Sequence, residues 1–93
     1  MTAKQQAKLD AAWAEYQRIR DAALANYKRA REGAWAERER ECELAEYDDR
    51  ACEAAWDEHE RVCTAALAKY DRTRDAAHAE YYRIKAEIMG GEI

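Results

Sequence analysis

The sequence predicts an all-α protein: a long amphipathic helix with eleven-residue repeats that forms a coiled coil or helical bundle. Three observations lead there. First, one motif recurs along most of the chain. It reads Asp10-Ala-Ala-Trp-Ala-Glu-Tyr-Gln-Arg-Ile-Arg20, then Asp21-Ala-Ala-Leu-Ala-Asn-Tyr-Lys-Arg-Ala-Arg31, then Glu32-Gly-Ala-Trp-Ala-Glu. It returns as Glu53-Ala-Ala-Trp, Thr64-Ala-Ala-Leu-Ala-Lys-Tyr and Asp75-Ala-Ala-His-Ala-Glu-Tyr. Eleven residues make three turns at about 3.67 residues per turn, the signature of a straight or right-handed coiled coil. Second, Pro is absent, and two of the three Gly (Gly90 and Gly91) lie where a helix normally stops. Third, Ala, Glu, Arg and Lys, the strongest helix formers, dominate the composition.

Composition narrows the function classes. Ninety-three residues make at most one domain, read as a single coiled-coil domain over 1–93 with fraying ends at 1–8 and 90–93. Four Leu, four Ile, one Val and no Phe are too few for an ordinary globular core. The net charge of −4, with 39% charged residues of both signs, argues against disorder and offers no basic patch for nucleic acid. No run approaches the roughly twenty apolar residues of a membrane span, and nothing resembles a signal peptide. Three Cys at spacings that match no disulfide framework point to a reducing cytoplasm.

Numbering each repeat one to eleven from its leading acidic residue separates the faces. Position three is Ala12, Ala23, Ala34, Ala45, Ala55, Ala66 and Ala77. Position seven is Tyr16, Tyr27, Arg38, His59, Tyr70 and Tyr81, and position ten includes Ile19, Val62 and Ile84. Steps of four, three and four place these on one stripe. Position four sits beside it, with Trp13, Leu24, Trp35, Trp56, Leu67 and His78. Small residues at the centre let helices approach closely, and Trp and Tyr cover the flank with apolar bodies and polar tips. Ala45 apart, these Ala, Tyr, Trp, Leu, Ile, Val and His59 positions are the predicted interface. At position eleven, Arg20, Arg31, Arg74 and Lys85 each follow a Tyr by four, within reach of its ring face. The opposite face carries Glu15–Arg18, Glu37–Arg40, Glu58–Arg61 and Glu80–Arg83 at steps of three, a solvated charge ladder.

The halves are related by a shift of 43: residues 10–37 and 53–80 agree at fifteen of 28 positions. Four full repeats would shift by 44. Four repeats drift about 80° around a straight helix, and the lost residue removes about 100°, so the stripe keeps its azimuth. That phase favours one continuous helix about 130 Å long. The alternative is a helical hairpin turning near Asp48-Asp49, within Tyr47–Arg50, which would set Tyr16 opposite Tyr81 and Tyr27 opposite Tyr70. No Gly, Pro or Asn marks such a turn. Gly33, inside the first half, either permits close approach of another helix or is a tolerated defect costing about 1 kcal/mol.

Cys52, His59 and Cys63 fall within about 40° of one another around a helix and are the candidate metal ligands. The competing account is packing, since His59 stands where other repeats hold Tyr and small Cys side chains fill core positions. Without a tight Cys-x-x-Cys pair, no metal and no cofactor is assigned. There is no phosphate loop and no nucleophile–base pair, so no catalytic residue is assigned and an enzyme is not expected.

The Ala-Ala-[Trp/Leu]-Ala-x-Tyr-x-Arg unit, from about Asp10 to Ile88, resembles the hendecad Ala-rich coiled-coil proteins of bacteria and phages. That resemblance implies a stalk, an oligomerisation rod or an interaction surface. The group 3 late-embryogenesis-abundant proteins also use eleven-residue helical repeats, although three Trp and three Cys depart from their pattern. The functional expectation is a self-associating structural or oligomerisation protein, a homo-oligomer that can also engage another protein but neither nucleic acid nor membrane. The alternatives are a small phage-type regulatory binder that inhibits a host protein and a stress protectant.

Overall fold

The computed structural model describes residues 1–90. Among them two long helices account for nearly everything: α1, Ala3–Leu44, and α2, Asp49–Gly90, each of 42 residues. The all-α class with long helices is as the sequence predicts. The continuous helix favoured on phase does not form; the chain takes the hairpin alternative, turning slightly earlier than expected, so that Asp49 and Arg50 already belong to α2.

The helix ends explain why. Thr2 caps α1: its Oγ1 accepts the Gln5 amide at 3.1 Å, while Gln5 Oε1 accepts the Thr2 amide at 2.7 Å. This reciprocal pair satisfies two of the donors that a helix start leaves unpaired. At the far end, the Tyr47 amide donates to the Cys42 carbonyl at 2.8 Å and the Glu46 amide to the Glu43 carbonyl at 3.0 Å. That is a Schellman closure, whose left-handed residue is usually Gly. Here Glu46 (φ 54°) occupies it, and Tyr47 (φ 60°) is left-handed as well. Two such side-chain-bearing residues cost roughly 1–2 kcal/mol each. Asp48 then caps α2, its carbonyl accepting the Cys52 amide at 2.9 Å. Asp49, in the first turn, adds a negative charge at the positive end of the helix. The turn is therefore built from hydrogen bonds rather than from glycine.

The chain divides into two compact units. The terminal unit joins Met1–Ala23 with Asp71–Ile93, and the turn unit is Leu24–Tyr70. Each pairs a stretch of α1 with an antiparallel stretch of α2. Among the described residues the buried side chains are few: Ala55 (3% exposed) in the turn unit, Ala77 (7%) and Ile88 (9%) in the terminal unit. Two of these three are alanines of repeat position three, as close approach of the helices requires. The outer faces carry the charge ladder: Glu15–Arg18, Glu37–Arg40, Glu58–Arg61 and Glu80–Arg83 all pair, and Arg83 also reaches Glu87 at 2.5 Å.

Candidate functional site

In the terminal unit the repeat gathers aromatic rings. Trp13 stacks on Tyr16, one turn along α1, with centroids 5.2 Å apart, and meets Tyr81 of α2 edge-on at 5.2 Å. Tyr16 lies 6.3 Å from Tyr81 and 5.5 Å from His78. His78 in turn meets the edge of Tyr82 at 4.5 Å, and Tyr82 contacts Tyr81 at 5.5 Å. Offset and edge-on rings at these separations add about 0.5–1.5 kcal/mol per pair beyond their buried area. Cations lie over ring faces, Arg20 over Tyr16 at 5.6 Å and Lys85 over Tyr82 at 5.8 Å. Lys85 thus covers the residue three before it rather than Tyr81, four before.

The turn unit starts the same way and then changes. Tyr27 meets Tyr70 at 6.1 Å, with Arg31 over Tyr27 at 5.6 Å. One repeat nearer the turn, Arg38 replaces the tyrosine. Its guanidinium sits 3.9 Å from the Trp35 ring centre and 4.4 Å from that of Trp56, clasped between indoles of both helices. Its side chain is only 12% exposed, and Glu39 accepts from it at 3.3 Å. A desolvated cation over indole faces is worth about 2 kcal/mol. His59 completes the cluster, stacked on Trp56 at 5.5 Å and edge-on to Trp35 at 6.0 Å. Its Nε2 is 3.7 Å from Cys63 Sγ, while Nδ1 is enclosed without a hydrogen-bond partner. The Trp56 indole N–H donates to Glu60 at 3.0 Å.

The predicted interface residues divide into two sets. Ala12, Tyr16, Ile19, Ala23, Leu24, Tyr27, Ala34, His59, Val62, Ala66, Tyr70, Tyr81 and Ile84 are half-buried, and Ala55 and Ala77 are buried. Trp13, Trp35, Trp56 and Leu67 are exposed on the flank. The ring contacts show that seam tyrosines meet one another within a single chain. Trp35 also borders an open groove with Arg31, Glu32 and His59.

The metal candidates do not assemble. His59 and Cys63 are neighbours, but Cys52 interacts instead with Cys42, and among the described residues no group of three or more His, Cys, Asp or Glu gathers. All three cysteines are free thiols. In the ladder, Glu15, Glu37, Glu58 and Glu80 are each held below the ordinary carboxylate value by the hydrogen bond from the Arg three residues on. Among the described residues no helix is long and apolar enough to cross a membrane. Sequence reasoning missed two participants, Arg38 and Cys42. Arg38 follows Trp35 by three on one helix face, a spacing that signals a cation over an indole. Cys42 becomes legible once α2 is known to return beside it.

Comparison with protein-family models, with curated proteins and with solved structures finds no significant match. What the chain does must therefore be argued from its own surface.

Proposed function

We propose that the protein is a non-enzymatic, self-associating helical structural protein, in which two hairpins join through their Trp-bearing flanks into a four-helix bundle. The observation that carries this reading is the unburied aromatic flank. Trp13, Trp35, Trp56 and Leu67, all at repeat position four, stay exposed, with Trp35 at 52%. Soluble monomers rarely leave so many large apolar side chains uncovered on one repeat position.

Area makes a second copy the fitting occupant. The chain leaves 6841 Å² accessible, whereas a compact folded monomer of its 10.8 kDa mass exposes about 5,500 Å². The excess of about 1,300 Å² exceeds the roughly 800 Å² per partner of a standard interface. The internal duplication also gives both helices the same Trp and Leu at equivalent positions, as a self-complementary contact between identical chains requires. The free thiols support a reducing, cytoplasmic setting.

Leu67 offers a direct test, because it is exposed and its replacement leaves the ring clusters untouched. Leu67→Glu should retain the helical circular dichroism of the native chain and elute from a sizing column as a monomer where the native chain elutes as a dimer. Unchanged elution of both proteins as dimers would remove this flank from the contact. A monomeric native chain would remove the proposal.

A further inference from the structure

Three features of the turn unit converge on its two cysteines nearest the turn. Position eleven of the repeat is Arg20, Arg31, Arg74 and Lys85 far from the turn but Cys42 and Cys63 in the middle of the chain, and Cys52 closes the shortened ten-residue repeat between them. Cationic side chains have thus given way to thiols where the helices turn back. The helix register then fixes which thiols meet. Arg38 of α1 packs on Trp56 of α2 at 4.4 Å. One helical turn closer to the loop on each helix lie Cys42 and Cys52, four residues from Arg38 and Trp56 respectively, so the antiparallel register brings the two thiols side by side across the turn. Both are half-buried and their backbones are pinned: the Cys42 carbonyl accepts the Tyr47 amide, and the Cys52 amide donates to the Asp48 carbonyl. The third thiol is occupied elsewhere, 3.7 Å from His59.

We propose that Cys42 and Cys52 are a redox clasp, a dithiol that a small-molecule disulfide such as oxidised glutathione converts to an intramolecular disulfide across the turn. The balance is that of thiol–disulfide exchange. The Cys42 thiolate attacks one sulfur of the oxidant, whose S–S bond breaks to release one glutathione thiolate. The Cys52 thiolate then attacks Cys42 Sγ in the mixed disulfide, forming the protein bond and releasing the second glutathione. The protein loses two electrons and two protons; the oxidant gains them as two thiols. Closure traps a short loop, 42–52, that contains both left-handed residues. Reduction reopens it.

The clasp also has a built-in brake. The interaction with Cys42, aided by burial and by the nearby Asp48 and Asp49 carboxylates, pushes the Cys52 thiol up to about 11. Only thiolates attack, so closure is slow at neutral pH and quickens with pH, by up to roughly tenfold per unit. The clasp operates within one chain and stands independently of self-association.

The test uses the full reduced chain, incubated with oxidised glutathione, quenched in acid, alkylated and mapped after cleavage at arginine. The expected result is loss of two of the three thiols, with peptides 41–50 and 51–61 joined in a protein that stays a single chain on a non-reducing gel. Cys63→Ala should close at the native rate, and Cys42→Ser and Cys52→Ser should not close. Closure should run faster at pH 9 than at pH 7 and raise the melting temperature by roughly 5 °C or more. Three persistent thiols, a bond to Cys63, or cross-links only between chains would each overturn the proposal.

Discussion

The terminal and turn units are built from one repeat yet hold their helices together by different chemistry. In the terminal unit position seven is tyrosine on both helices, and Trp13, Tyr16, Tyr81 and Tyr82 make a continuous run of ring contacts. The turn unit keeps one such pair, Tyr27 and Tyr70, but nearer the turn the same position becomes Arg38 and His59, and the rings are linked through a clasped guanidinium and an imidazole. The alanine centre is common to both. Alanine thus sets how close the helices come, while position seven sets what joins them. A seam this thin tolerates a cation because the flanking indoles cover it.

The sharpest way to break that comparison is to overfill the shared centre. Ala55→Leu and Ala77→Leu should each lower stability by about 2–3 kcal/mol through overpacking, Ala55 more because it is the more buried, with thermal melts followed by circular dichroism as the measure. Silent variants would show that alanine does not set the helix separation. Arg38→Ala should cost about 1–2 kcal/mol, and Arg31→Ala, whose cation lies 5.6 Å from Tyr27 on an exposed side chain, about 0.5 kcal/mol. Denaturant titration of the pair separates a clasped cation from a surface one. Equal losses would erase the distinction between the units.

Gly33 sharpens the picture in the other direction. A Cβ there would meet nothing within 4 Å, so Gly33→Ala should stabilise α1 by up to about 1 kcal/mol. A variant that melts higher but associates less would place Gly33 at the contact between copies. The smallest effect belongs to the charge ladder. Glu15, Glu37, Glu58 and Glu80 titrate below their ordinary value of 4.5 in the folded helices, so the folded chain binds fewer protons than the unfolded one. Their contribution is full above about pH 4.5 and is lost as the pH falls through the lowered values. Melting temperature should drop slightly from pH 5 to 3, less so in high salt. A Gln replacement at all four positions should flatten the profile.

Much of the fold was legible because an eleven-residue period dictates which residues share a face. Alanine at position three and tyrosine at position seven located the seam, and the hairpin alternative gave the Tyr16–Tyr81 and Tyr27–Tyr70 pairs that are observed. The turn was obscured because its left-handed residues are Glu46 and Tyr47, where sequence reading looks for Gly or Asn. Helical phase also pointed away from a break: losing one residue restores the stripe's azimuth, as a continuous helix with one usable face would require. Arg38 stood among the position-seven residues with no role of its own, since burial of a guanidinium between two indoles depends on Trp56 returning from distant sequence. The Cys42–Cys52 pairing was hidden for the same reason.

Sedimentation equilibrium of the unmodified chain at tens of micromolar is the most direct measurement of all. Exposed tryptophans on both helices predict a particle of twice the 10.8 kDa chain mass. A single species at 10.8 kDa across that range, with helicity intact, would contradict the account.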